Sequence, residues 1–217
     1  MELNNTRTKL VRTAMLLFWE KGYHATSIAD VLHKAKVNSG SLYHFFPGKT
    51  DLLAAVLDLY HEGIRQMLLE PPAASLADPS QKIFALLGRY RRSLVESDCF
   101  YASPIGSLAL ELRDPEEPVR ARLAKNFRAW IDVIDDCLQQ SKRRFPAEVN
   151  RREFAQFVLI VMEGGVMQAR TFRDVGFFDA AVRQLRHYLA CLGSGSPRRR
   201  KIRARAPGRS VKRRARS

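Results

Sequence analysis

Cysteine is scarce and odd in number: Cys99, Cys137 and Cys191 stand far apart in 217 residues. That count fits neither a disulfide framework nor a CxxC redox or metal motif, and a reducing cytoplasm is the expected compartment. Long hydrophobic runs are missing as well. The longest, Phe157 to Met162 among them, have six residues, against the roughly 20 that a membrane-spanning helix needs. The opening MELNNTRTKL has an acidic second residue and no apolar stretch, so no secretory signal is expected. There is no Gly-rich phosphate loop, no GxSxG and no HExxH, and His24, His33, His44, His61 and His187 lack metal-ligand spacing. An enzyme is therefore not expected, nor any cofactor or metal.

Acidic residues are short too, but only in places. Lys plus Arg total 37 against 22 Asp plus Glu, a formal charge of +15. Residues 194–217 hold 11 basic residues and no acidic one, residues 1–50 hold 7 and 3, and residues 51–193 hold 19 of each. The middle is neutral and both ends are basic, which points to a polyanionic partner such as nucleic acid.

What is abundant is helical periodicity, and no alternating segment bounded by hairpin turns appears. The pattern predicts an all-α chain of about nine helices. Leu10, Ala14, Leu17 and Phe18 share one face of a first helix that stops at Gly22, where positive φ is cheap. Thr26 or Ser27 caps a second helix, with Ser27 and Asp30 at capping-box spacing. Asn38 caps a short third helix from Ser39 to about Phe45, ended by Pro47-Gly48. A fourth runs from near Lys49 until Pro71-Pro72 breaks it. Further helices are expected from Pro79 to about Ser97, from Pro104 through Leu112, from Pro118 to before Pro146, over 151–172, and from Phe177 to Leu192. The last two are read as long helices, the first of them apolar nearly all round in its middle. Residues 194–217 are rich in Gly, Ser, Pro and Arg with almost nothing to bury, and are expected to be a disordered basic tail.

The informative stretch is Phe18 to Leu53. Ala35-Lys36-Val37-Asn38 is a tight turn between a capped helix and a short one, which is helix-turn-helix geometry. Lys21, Gly22, Tyr23, Thr26, Ser27, Ala35, Val37, Gly40, Ser41, Leu42, Tyr43, Phe46, Lys49 and Leu52 follow in register a pattern that resembles the N-terminal region of TetR-family transcriptional repressors. The resemblance covers roughly residues 7–60 by motif. It implies an N-terminal helix-turn-helix DNA-binding domain over 1–50 and a ligand-binding and dimerisation domain over 51–193. The expected function is repression by a homodimer on a palindromic operator in double-stranded DNA, released by a small-molecule effector, with no membrane partner. The alternative is an architectural protein that coats DNA of any sequence through its basic tail.

Each matched position has a physical role. The first half of a recognition helix approaches base edges and phosphates, so the small or hydrogen-bonding Asn38, Ser39, Gly40 and Ser41 suit it. Tyr43 and His44, a turn later, reach phosphates or a thymine methyl. Lys49 adds its charge to the positive end of the next helix, and Thr26 offers a hydroxyl at the second helix. Against this, Tyr43 has a reading as a half-buried core aromatic, and Ser39 and Ser41 as ordinary helix-start residues. Two positions depart from the family: Ser39 stands where Lys is frequent, and Phe45 replaces a polar aromatic or His.

In the family the C-terminal helices form a pocket and a dimer interface. Carried over, the inward Tyr60, Met67, Tyr90, Phe100, Phe127, Trp130, Met162 and Met167 are candidate pocket residues, with plain core as the competing reading. The segment Ser103-Pro104-Ile105-Gly106-Ser107-Leu108-Ala109-Leu110-Glu111 resembles a C-P-x-G-x-L-x-x-E stretch in a subgroup of these regulators. Ser103 stands in place of its Cys, so thiol sensing there is excluded. Cys99 is one turn away, with an inert buried thiol as the plainer reading.

Overall fold

The computed structural model describes residues 2–69, 76, 78–101, 103–141, 146 and 148–193. The basic tail, the Pro71-Pro72 break and the side chain of Met67 lie outside the described residues. Among those described, nine helices and no strand are present. They are α1 (Glu2–Lys21), α2 (Ile28–Ala35), α3 (Ser39–Phe45), α4 (Lys49–Leu69), α5 (Pro79–Glu96), α6 (Pro104–Glu111), α7 (Glu117–Gln140), α8 (Arg151–Phe172) and α9 (Gly176–Gly193).

Short-range chemistry sets the helix starts. The Ser27 side chain accepts from the Asp30 amide while Asp30 accepts from the Ser27 amide, a complete capping box for α2. Asn38 caps α3 through Oδ1, which accepts from the Ser41 amide at 2.8 Å. Asp78 and Ser103 cap α5 and α6, each followed by a proline at the first turn. Lys36 closes α2 in the left-handed region at φ 50, and after this tight turn α3 packs against α1.

Two hydrophobic cores follow. The first joins α1, α2 and α3 (Leu10, Leu17, Val31, Leu42, Phe46) to the first half of α4, and continues through Ile105 and Leu108 of α6 and Val119 and Leu123 of α7. The second fills the body between α5, α7, α8 and α9 around Trp130, Met162 and Phe178. Phe127 packs against both. The head core thus runs well past residue 50, and α4, α6 and α7 are shared supports rather than parts of a separate unit.

Polar ties fix the supports. Buried Asn126 donates through Nδ2 to the Leu57 carbonyl at 2.9 Å, and Arg122 pairs with both oxygens of Asp58 at 3.1 and 3.2 Å, locking α7 onto α4. Arg91 makes a two-pronged pair with Asp179 that joins α5 to α9. Gly165 of α8 lies against α9, where an added Cβ would come within 3.1 Å of Phe178. Gly164 next to it meets nothing within 4 Å.

Candidate DNA-binding face and interdomain cavity

The short helix α3 turns Leu42 and Phe46 into the head core and leaves Asn38, Ser39, Gly40, Tyr43 and His44 exposed, with Ser41 half-buried. Tyr43 is 56% exposed, which removes the core reading of that side chain. The Nζ of Lys49 stands 4.2 Å over the centre of the Tyr23 ring, at the first residue of α4. Partial burial lowers its pKa, opposed by the charges of Glu111 and Asp30. Six of the eight sequence-predicted DNA residues therefore lie in one exposed run around α3, with Lys49 beside it.

Thr26 is the correction. It is fully buried, and its hydroxyl donates to the Gly22 carbonyl at 2.7 Å and towards that of Leu17 at 3.3 Å. It fastens the turn after α1 instead of offering a donor to phosphate. Asn38 also has a structural duty, since its side-chain oxygen is used by the Ser41 amide.

A cavity of about 990 Å³ opens between the last turn of α1, α6 and α8. Phe18, Trp19 and Gly22 of the head form one wall, and Phe127, Leu159 and Val166 of the body form another. Of the candidate pocket residues whose side chains are described, Phe127 and Met167 line it. Trp130 and Met162 are core, and Tyr90 packs edge-on against Trp130. Tyr60 packs on the head core, and Phe100 is on the surface beneath Arg173. Trp130 and Met162 fill space in the core, whereas Tyr90 also interacts with Ser103 and Glu163 of the cavity wall.

Helix α6 organises this cavity, and its motif now has a physical explanation. Ser103 Oγ accepts from the Gly106 amide, capping the helix, and donates to Glu163 Oε1 of α8 at 2.8 Å. Gly106 leaves room for that carboxylate, because a Cβ there would collide with Glu163 Oε2. Burial raises the Glu163 pKa, and the Ser103 hydrogen bond acts in the opposite sense. At the other end of α6, Glu111 Oε2 accepts from the Tyr23 amide at 2.9 Å and Oε1 from the His24 amide at 2.6 Å. This carboxylate clasps the turn between α1 and α2, where Gly22 has φ +89 and a Cβ would press on Glu111 at 3.0 Å. The Glu111 clasp was missed in the sequence because its partners are backbone amides 87 and 88 residues away. The C-P-x-G-x-L-x-x-E likeness was the one signal pointing to it.

Cys99 is buried at positive φ, and desolvation pushes its thiol up, so it has the character of an inert thiol. Burial likewise raises Cys137 to about 11. No cluster of potential metal ligands and no helix long and apolar enough to cross a membrane occurs among the described residues.

A helix-turn-helix head with an exposed second helix, carried on an all-helical body with a cavity between α1, α6 and α8, is the architecture of a DNA-binding transcriptional regulator. Residues 10–56 match the family model for bacterial regulatory proteins of the tetR family, and residues 79–184 match that for the C-terminal domain of LmrA/YxaF-like transcriptional regulators. The chain is 32% identical over 197 residues to the uncharacterised HTH-type transcriptional regulator Rv0196 of Mycobacterium tuberculosis, covering 86% of this chain and 95% of that one. It is 27% identical over 166 residues to the HTH-type transcriptional repressor ComR of Escherichia coli, covering 72% and 76%. The crystal structure of regulatory protein TetR from Rhodobacter sphaeroides superposes with a TM-score of 0.74 at 21% identity, covering 83% of this chain and 97% of that one. The chain belongs to the TetR family of transcriptional regulators.

Proposed function

We propose that this regulator is a cytoplasmic homodimeric repressor that binds a two-fold symmetric operator through Asn38, Ser39, Gly40, Ser41, Tyr43, His44 and Lys49, and is released by a small, largely apolar effector. The observation that carries the effector part is the cavity shared by the head turn and the body, with α6 anchored to the cavity wall at Ser103 and to the head at Glu111. A ligand that fills it contacts both units and favours one head orientation only if it binds that state better. Support for the dimer comes from α8 and α9, where Phe157, Ile160, Met167 and Tyr188 remain exposed on one chain and Gly164 leaves open space for close helix approach. Two α3 helices related by the dimer axis would then enter successive major grooves, about 34 to 36 Å apart.

The 11 basic residues of 194–217 add a sequence-independent attraction to phosphate. The test is to select duplexes from a randomised library with the full chain and footprint the winners. A two-fold symmetric site protected by a dimer is the expected result. Enrichment of no site, with uniform coating of every duplex, would overturn the repressor reading in favour of nonspecific binding.

A further inference from the structure

We infer that the cavity between α1, α6 and α8 takes an ammonium ion carried on an apolar body, with the Glu163 carboxylate as its anchor. The inference rests on this cavity being the effector site proposed above.

Three carboxylates belong to the cavity wall: Glu20, Glu111 and Glu163. Glu20 is paired with Lys34 at 2.9 Å, and Glu111 is occupied by the two amides of the head turn. Glu163 is different. Among the described residues its one hydrogen-bond donor is the Ser103 hydroxyl, on Oε1. Oε2 lies over Gly106, itself a wall residue, and no side-chain cation pairs with it. A half-buried carboxylate with a single neutral donor presents an uncompensated charge to the cavity, and an opposite charge within hydrogen-bond distance is what relieves it.

The wall cations do not meet that need. Arg173 stands 5.7 Å over the Phe100 ring and donates to the Asp98 carbonyl at 3.2 Å. Lys21 interacts with Asp30 on the far side of the head turn. Arg170 is exposed. Apart from Ser103, Ser107 and Thr171, the remainder of the wall is apolar, with the aromatic side chains of Phe18, Trp19 and Phe127 among its residues. An anion is disfavoured by Glu163, and a neutral alcohol leaves its charge uncompensated.

Three near-isosteric probes separate the possibilities: 2-(1-naphthyl)ethylamine, 2-(1-naphthyl)ethanol and 1-naphthylacetic acid, titrated calorimetrically into the full chain at neutral pH. The amine is expected to bind at least tenfold more tightly than the alcohol, and the acid more weakly than either. Glu163→Gln should bring the amine-to-alcohol ratio close to one, chiefly by weakening the amine. Gly106→Ala is the second variant. It keeps the charge but displaces it, and should also lower the ratio, so that a folding defect in one variant leaves the other to decide. An amine that does not bind, an acid or alcohol that matches it, or a preference that survives both variants would overturn the inference. Release of the selected duplex is measured in parallel. A Glu163-dependent amine preference without DNA release keeps the ligand class and refutes the effector reading. Release by the alcohol or acid but not by the amine does the reverse.

Discussion

Glu111→Ala tests the connection between cavity and head most directly. The substitution removes the acceptor for two backbone amides, those of Tyr23 and His24, at the turn that sets the angle of α2 against α1. Hydrogen bonds to a charged group are worth about 1.5 to 3 kcal/mol each, but an exposed amide recovers most of this from water. The His24 bond is exposed and the Tyr23 bond part-buried, so the expected loss is about 1 to 3 kcal/mol in total rather than the sum of two full terms. Gly22 cannot take over, since its positive φ is fixed by the turn and it has no side chain. Glu111→Gln keeps one acceptor oxygen and should fall between the two.

Urea unfolding followed by circular dichroism gives the free-energy difference, and hydrogen exchange at the Tyr23 and His24 amides localises it. The same variant tests transmission. Whatever factor an effector imposes on DNA affinity, DNA must impose on effector affinity, and this factor should shrink towards one when the clasp is gone. A Glu111→Ala protein within about 0.5 kcal/mol of the parent, with unchanged exchange at both amides and an unchanged coupling factor, would refute the reasoning.

Asn38→Ala should cost about 1 kcal/mol by uncapping α3, read as a lower urea midpoint, and weaken DNA binding as well; an unchanged midpoint would show that the Ser41 amide finds another partner. Tyr43→Ala and Lys49→Ala should each weaken binding to the selected duplex by about 1 to 3 kcal/mol in a gel-shift titration, and wild-type affinity in both would remove these residues from the DNA contact. Burial raises the Glu163 pKa above its ordinary 4.5, so the folded chain holds its proton to higher pH than the unfolded one. The stability this group contributes is therefore present below about 4.5 and is lost as pH rises through the folded pKa. Glu163→Gln should accordingly gain melting temperature relative to the parent between pH 4.5 and 7, and a difference flat across that window would contradict the assignment. Deleting residues 194–217 should reduce the log-affinity against log-salt slope by about 0.9 for each phosphate lost, with the ratio of selected to random duplex nearly unchanged; an unaltered slope would show that this segment does not touch DNA.

The helices were legible because their signals are local. Ser27 with Asp30, Asn38, Pro79 and Pro104 each announce a start within one turn, and the observed elements begin at or next to them. Leu42 and Phe46 facing inward follows from helical spacing, whereas Tyr43, which the sequence left open between groove and core, is decided by its exposure in the fold. Thr26 was misread because a hydroxyl beside a capping position looks the same in sequence whether it points to solvent or back to the Gly22 carbonyl. The cavity wall was only partly legible for a related reason. Periodicity tells which face of α5 or α7 turns inward, but not whether the inward space is filled, and Tyr90 and Trp130 fill it with each other.

The cavity arises instead where three elements fail to close, and what keeps them apart is polar. Helix α6 is eight residues long, about 12 Å at 1.5 Å per residue, too short to bend. Its first turn is tied to α8 by the Ser103 to Glu163 bond and its last residue to the head by Glu111. One face, through Ile105 and Leu108, is set in the head core. A rigid rod held at both ends and along one side cannot yield at one tie without loading the other. On the proposed effector reading, anything that draws Glu163 away from Ser103 would load the turn before α2, which leads through the capping box and the Lys36 turn to α3. The spacing of Ser103, Gly106 and Glu111 is explained by these three contacts together: a cap that doubles as a donor to the cavity, a gap for the carboxylate, and a clasp on the DNA-binding head.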